Sequence, residues 1–335
     1  MNYFNSDLCY LLSYLRLLVK GVDVNNKISG EGIDPDFKLY YEAMILPHLQ
    51  EAENLRIQAL LQLRRYTLNA VIGTSIALLF IYNIFEPPHT IAMAFLALIV
   101  FIYIGLPIVK YETKVKSIIY PILFNYFGDG FTYNIEGIPS TYFGIARQPQ
   151  DNTKNNNSDY IQGSYKNVTI EIMKLKVVEN AKGAYTHFNG IAIRLSANKM
   201  FQGKTLILHQ TEIRNTLFSD FLTDHGTRVE LEDPQFNKVF TVYSSDQVEA
   251  RYLLTPSFME NLLSLVTLFN TAGIQGFFAD NHLVLTIPSS KIHWLENPSM
   301  FKPANFVESC NLILQQMKII FHIIDVLKFD EHTRL

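Results

Sequence analysis

Asp246, Glu249 and Arg251, with Tyr252 directly after them, are the most closely spaced ionisable group in the stretch 231–256. Set in a cleft, they would bind a ligand, because a guanidinium offers a planar fork of donors that grips an anion. The same residues also answer to local structure. Asp246 suits the positive N-terminal end of a helix, Glu249 suits its first turn, and Arg251 suits a pairing with a nearby carboxylate. The local account asks less of the chain. Asp246, Glu249, Arg251 and Tyr252 are nevertheless its candidate ligand-binding residues.

The other reactive residues offer less. The nine histidines are scattered, and none stands at zinc-ligand spacing with cysteine or carboxylate support. His322 and Asp325, three apart on a helical pattern, suit a satisfied pair. Phe277-Phe278 brings bulk without an acid or base, as core or interface residues would. There is no G-x-S-x-G, P-loop, G-x-G-x-x-G or Cys-x-x-Cys. No residue stands out as a nucleophile, so no catalytic residue, cofactor or metal is assigned. Cys9 and Cys310 sit in apolar helical contexts and suit reduced thiols. With a formal net charge of −3, no basic field recruits nucleic acid.

The elements that must position these residues are dominated by two apolar runs, 68–85 and 91–109. Neither contains Asp, Glu, Lys, Arg or His, and only Glu86, Pro87, Pro88, His89 and Thr90 separate them. At ~1.5 Å per residue each covers roughly 27–28 Å, close to the hydrocarbon thickness of a bilayer. The Pro-Pro pair cannot continue a helix, so the chain turns there. The pattern predicts a two-helix transmembrane hairpin whose partner is the lipid bilayer. Arg56, Arg64 and Arg65 precede the first run, Lys110, Lys114 and Lys116 come after the second, and the connection carries neither Lys nor Arg. Basic flanks mark the cytoplasmic side, so both termini are expected in the cytoplasm. Gly73 and Ala77 form a small-xxx-small pair suited to close helix approach. With no ionisable residue inside either run, nothing marks an ion path.

The chain divides into four regions: a helical arm and stalk at 1–67, the hairpin at 68–109, a juxtamembrane helix at 110–130 and a cytoplasmic α+β domain at 131–335. In the arm, Leu8, Leu11, Leu12, Leu15 and Leu18 recur at helical spacing, and Asp7 and Arg16 argue against a secretory signal. A second helix starts at Asp34-Pro35, is kinked or broken at Pro47, and runs on through 49–66 into the first span. The juxtamembrane helix is likewise interrupted, at Pro121. Beyond 131, strands are expected at 160–164, 168–176, 186–195, 204–209, 227–232 and 238–243, and 148–159, nearly free of apolar residues, reads as a solvated linker. Helices are expected at 246–254 and 256–269. A hairpin at 273–279 and 282–287 turns at Asp280-Asn281, and a packed helix at 304–328 ends the pattern. The domain is thus an antiparallel sheet closed by helices.

One run of residues carries a family resemblance. It comprises Leu231-Glu232-Asp233-Pro234-Gln235-Phe236, then Phe240-x-Val242-Tyr243-Ser244-Ser245-Asp246, then Glu249-Ala250-Arg251-Tyr252-Leu253-Leu254-Thr255-Pro256. Phe188-x-Gly190, Phe201-x-Gly203-Lys204-Thr205-Leu206 and Asp159-x-Ile161-x-Gly163 accompany it. Together they resemble the bacterial domain-of-unknown-function 3137 family over about 37–327. The resemblance implies a bacterial inner-membrane protein with a membrane hairpin ahead of the domain, and it implies no activity. The expected function is therefore a membrane-anchored cytoplasmic module that binds a protein partner or itself, as a scaffold. A membrane-face enzyme or a small-ligand-binding domain is the alternative.

Overall fold

Proline positions shape the first helical segment. In the computed structural model, which describes residues 35–84, 90–128, 130–145, 153–179, 185–197, 200–212, 216–224, 226–269, 273–288, 295, 298–303 and 306–327, Pro35 opens helix α1 (Pro35–Tyr40). The expected kink or break at Pro47 does not occur. Instead a five-residue π-helical turn, Tyr41–Ile45, leads directly into α2 (Leu46–Ile84), with Tyr40 and Leu46 both in helical backbone. A proline lacks an N–H and its ring crowds the carbonyl four residues back, and the wider turn just ahead of it absorbs both defects. Helix α3 (Thr90–Asn125) contains Pro107 and runs through Pro121 without the interruption expected there. Packing explains this: Ile119, Tyr120, Leu123 and Phe124 around Pro121 are all buried. Burial of each contributes about 1.5–3 kcal/mol, against about 3 kcal/mol lost to one interior proline. The expected helix at 8–19, and the turn at Pro87-Pro88, lie outside the described residues.

The chain divides into two compact units, one up to Tyr126 with 297–308, the other Phe127–Glu296 with the residues from Ser309 on. In the first, α2 and α3 lie side by side. Tyr66 stacks on Tyr103 with centroids 4.5 Å apart, Tyr40 donates its hydroxyl to the Ile122 carbonyl at 2.6 Å, and Phe37 meets Tyr126 edge-on at 5.1 Å. Partner numbers rise on one helix as they fall on the other, so the pair is antiparallel. The buried stripe of α2 is Ala52, Ala59, Leu63 and Ala70, spaced seven, four and seven as a helix seam requires. Gly73 does not serve the close approach expected of it: it is exposed, with nothing within 4 Å of where a Cβ would stand. Among the described residues one helix, Met93–Asn125, is long and apolar enough to cross a membrane by length and composition.

The second unit is a mixed structure built on one antiparallel sheet. Its strands among the described residues are β1 (Thr132–Glu136), β2 (Thr153–Tyr165), β3 (Val168–Glu179), β4 (Tyr185–Ser196), β5 (Thr205–His209), β6 (Thr227–Val229), β7 (Phe240–Ser244), β8 (Gln275–Ala279) and β9 (His282–Pro288). They pair in the order β1-β2-β3-β4-β9-β8-β5-β7-β6. The β2–β3 hairpin turns at Lys166-Asn167, both with positive φ, the twist that suits a two-residue hairpin turn. In β3, Ile170 and Ile172 point to one face and Met173, Leu175 and Val177 to the other, all buried, so the sheet is covered on both sides. Helices α4 (Ser219–Asp224), α5 (Pro234–Val239), α6 (Gln247–Leu253), α7 (Pro256–Phe269) and α8 (Val307–Leu327) complete the unit's described helices. On the Ile172 face, Phe258 of α7 meets Phe278 at 5.7 Å and Phe321 of α8 stacks on Tyr165 at 4.4 Å. The other face holds Phe143, Phe188, Leu206, Phe218 and Phe277 in one apolar cluster.

Three sequence expectations for the sheet require correction. The strand expected at 227–232 ends at Val229. The supposed linker is in part strand, because Thr153–Asn157 pairs residue by residue with Glu179–Leu175 of β3. Those backbone ladders do not need apolar side chains in β2 when β3 supplies them. Asp159 marks a bulge with φ +55, and its buried carboxylate accepts the Tyr133 hydroxyl at 2.6 Å. The strand expected at 238–243 begins only at Phe240. Before it, Asp233 accepts the Gln235 and Phe236 amides and Pro234 opens α5, an Asp-Pro helix start.

Candidate functional site

The charged cluster that opens α6 is brought together with a second motif from far along the chain. Asp246 caps the helix, its Oδ1 accepting the amides of Val248 at 2.9 Å and Glu249 at 3.0 Å. Glu249, 5% exposed, turns the other way. Its two carboxylate oxygens accept the Gln202 amide at 2.7 Å and the Gly203 amide at 2.6 Å. The neighbouring serines complete the join. Ser245 Oγ accepts the Lys204 amide at 2.9 Å, the Ser245 amide donates to the Lys204 carbonyl at 3.0 Å, and the Ser244 and Thr205 hydroxyls share a bond at 2.9 Å. Gly203 is required for this approach, since a Cβ there would stand 2.8 Å from Asp246 Cβ. The structure thus places Asp246 and Glu249 in a node that fastens the 201–204 loop to α6.

Arg251 and Tyr252 point elsewhere. Arg251 is exposed and donates Nη1 to the Gln247 carbonyl, one turn back on its own helix, at 3.2 Å. Tyr252 is 64% exposed. The four candidate residues therefore split into an inward pair consumed by backbone amides and an outward pair open to solvent. They do not line one cleft.

A second polar cluster lies on the sheet, and little in the sequence pointed to it. Glu171 of β3 and Arg194 of β4 stand directly opposite in register and form a buried ion pair. Tyr160 donates its hydroxyl to the other Glu171 oxygen at 2.6 Å, and the Arg194 guanidinium lies 4.4 Å from the centre of the Tyr142 ring. Burial and the bond to the Glu171 carboxylate push the Tyr160 phenol well above its ordinary range, so it stays protonated. Burial, then the Arg194 charge, holds His282 below the usual histidine value. Tyr142 and Tyr160, with Ile138, Pro139 and Thr141, line an open cleft of about 550 Å³. The available signal was Glu171 between Ile170 and Ile172 and Arg194 between Ile193 and Leu195, each a charge flanked by apolar residues.

Chemically the cleft presents two tyrosine rings, an isoleucine, a proline and a threonine, with the Glu171 and Arg194 charges compensated behind the rings. That lining suits an apolar or aromatic group and supplies no activated nucleophile. Among the described residues, no three His, Cys, Asp or Glu side chains gather into a group that would hold a metal.

Residues 186–329 match the family described as "Protein of unknown function (DUF3137)". The match takes in the 231–256 run and both the Phe188 and Phe201 motifs, and leaves Asp159-x-Ile161-x-Gly163 outside. No curated protein matches the chain. Among solved structures, the crystal structure of the mycobacterial trehalose monomycolate transport factor A, TtfA, is similar with 12% identity and a TM-score of 0.36. The similarity covers 64% of this chain and 94% of that one. A likeness this loose bears on neither fold nor function here.

Proposed function

We propose that this chain, a member of the DUF3137 family over residues 186–329, is a module anchored in a bacterial inner membrane by two helices, with both termini and the sheet unit in the cytoplasm. Its work is to bind a protein partner or a second copy of itself. The observation that carries the anchoring is the crowding of exposed apolar side chains on the two uncharged runs, among them Val71, Ile72, Phe80, Phe95, Ile99 and Phe101. Water would not tolerate so dense a surface on two paired helices, whereas hydrocarbon would. The basic flanks and the connection without Lys or Arg support the orientation.

The binding role is supported by what the polar clusters do. Both Glu249 oxygens and Oδ1 of Asp246 accept backbone amides, and Glu171 and Arg194 spend their charges on each other. The exposed Tyr142 and Tyr252 remain as the aromatic contacts that protein interfaces favour. The test is a crosslinked pull-down of the full-length protein from native membranes. A stoichiometric partner, or a second copy, should be captured and should be lost with Tyr142→Ala or Tyr252→Ala. Capture of neither would defeat this reading and turn attention to the second one, a small apolar or aromatic ligand in the Tyr142–Tyr160 cleft.

A further inference from the structure

We propose that the cytoplasmic rim of the helix pair is a binding surface for the phosphates of anionic lipid headgroups, formed by Arg64 and Arg65 of α2 with Lys110 and Lys114 of α3. The proposal rests on the membrane-embedded reading above and adds the lipid chemistry it selects. All four side chains are exposed, and among the described residues none has an ion pair or a side-chain hydrogen bond. The other two flanking cations are engaged. Arg56 donates Nε and Nη2 to the Glu53 carboxylate at 2.8 and 2.6 Å, and Lys116 is buried with its Nζ 5.9 Å from the centre of the Tyr120 ring. Glu112, the acid between the two free lysines, is half-buried and has a partner of its own.

Position puts the four cations at the same end of the helix pair, Arg65 and Lys110 being close in depth on the scale of a headgroup layer and Lys114 about one turn further out. The Tyr66–Tyr103 stack sets those residues level across the pair, so Arg65 lies about 9 Å along the axis from Lys110 at ~1.5 Å per residue. That is close to the depth of a headgroup layer, and Arg and Lys stems reach several ångströms further. The exposed apolar runs begin at Leu68 on one helix and end at Val109 on the other, immediately beside the cations. Uncompensated positive charge next to hydrocarbon-facing side chains fits a lipid phosphate, whose tails and charge lie at those two depths.

The test uses full-length protein in mild detergent, titrated separately with fluorescent phosphatidylglycerol, fluorescent phosphatidylcholine and inorganic phosphate. Phosphatidylglycerol should bind at least about tenfold more tightly than phosphatidylcholine, and millimolar phosphate should not displace it. The preference should vanish in R64Q/R65Q/K110Q/K114Q, fall partway in each double variant, and persist in R228Q/K238Q, which removes two exposed cations of the sheet unit. Should the quadruple variant fail to fold, the two double variants decide. Equal affinity for both lipids, or a preference unmoved by the substitutions, overturns the proposal. Release of the wild-type chain from membranes by alkaline carbonate would instead overturn the anchoring itself.

Discussion

The Glu249 carboxylate accepts the Gly203 amide at 2.6 Å across 46 residues of sequence. This bond, with its twin to Gln202, joins two motifs of the family resemblance and gives the buried acid a structural task. Removing it leaves two amides without their acceptor beside a position that is itself buried. Glu249→Ala should lower stability by about 3 kcal/mol and Glu249→Gln by about half that, measured by denaturant unfolding of the full-length protein in micelles. Unchanged stability with lost partner capture would return Glu249 to ligand binding.

Arg251→Gln and Tyr252→Ala should each change stability by no more than about 0.5 kcal/mol, because both side chains are solvent-exposed and neither supports a neighbour. A large loss in the same unfolding measurement would show a role in packing that the geometry lacks.

Two glycines should behave oppositely. Gly203→Ala forces a methyl to within 2.8 Å of Asp246 Cβ and 3.0 Å of Ser245 Oγ, and should cost about 1–3 kcal/mol. Gly73→Ala meets open space and should be tolerated without loss. Crosslinking yield between the two helices, compared before and after Gly73→Ala, checks that their contact runs through Ala52, Ala59 and Ala70.

How far the sequence spoke depended on how local each signal was. Thr255-Pro256 and Asp280-Asn281 act on their own neighbours, so the helix at 256–269 and the β8–β9 hairpin are legible from the residues alone. The 231–256 run carried the family resemblance for the same reason, since its residues are contiguous. Thr153–Asn157 looked like linker because its strand character is supplied by β3, its partner across the hairpin. Pro47 and Pro121 signalled breaks that a π-turn and a buried cluster overrode. Asp246 and Glu249 stand out by charge density, and the Asp246 cap is local, yet the Glu249 partners Gln202 and Gly203 come from another strand connection. Glu171 and Arg194 escape a sequence reading because only sheet register sets them opposite each other.

Acid should weaken the sheet unit through His282. Its folded pKa lies below the unfolded value of about 6.5, because burial and then Arg194 disfavour the imidazolium. The neutral form is therefore favoured in the fold, its contribution is complete above about pH 6.5, and it is lost as pH falls through the lowered value. Melting temperature recorded between pH 8 and 5 should decline less steeply in His282→Gln than in the wild type.

Cys310 is 1% exposed and burial pushes its thiol up to about 12. In a Cys9→Ser background it should resist iodoacetamide at pH 8 in the native protein and react fully once unfolded, read by mass spectrometry. Rapid native labelling would mean that α8 leaves the sheet readily.

Anchoring by two helices with the sheet unit in the cytoplasm is tested most directly by protease added to sealed inside-out inner-membrane vesicles. Digestion of the sheet unit and a protected fragment spanning about 66–109 is the predicted result. Protection of the sheet unit, or loss of any fragment covering both apolar runs, would contradict it.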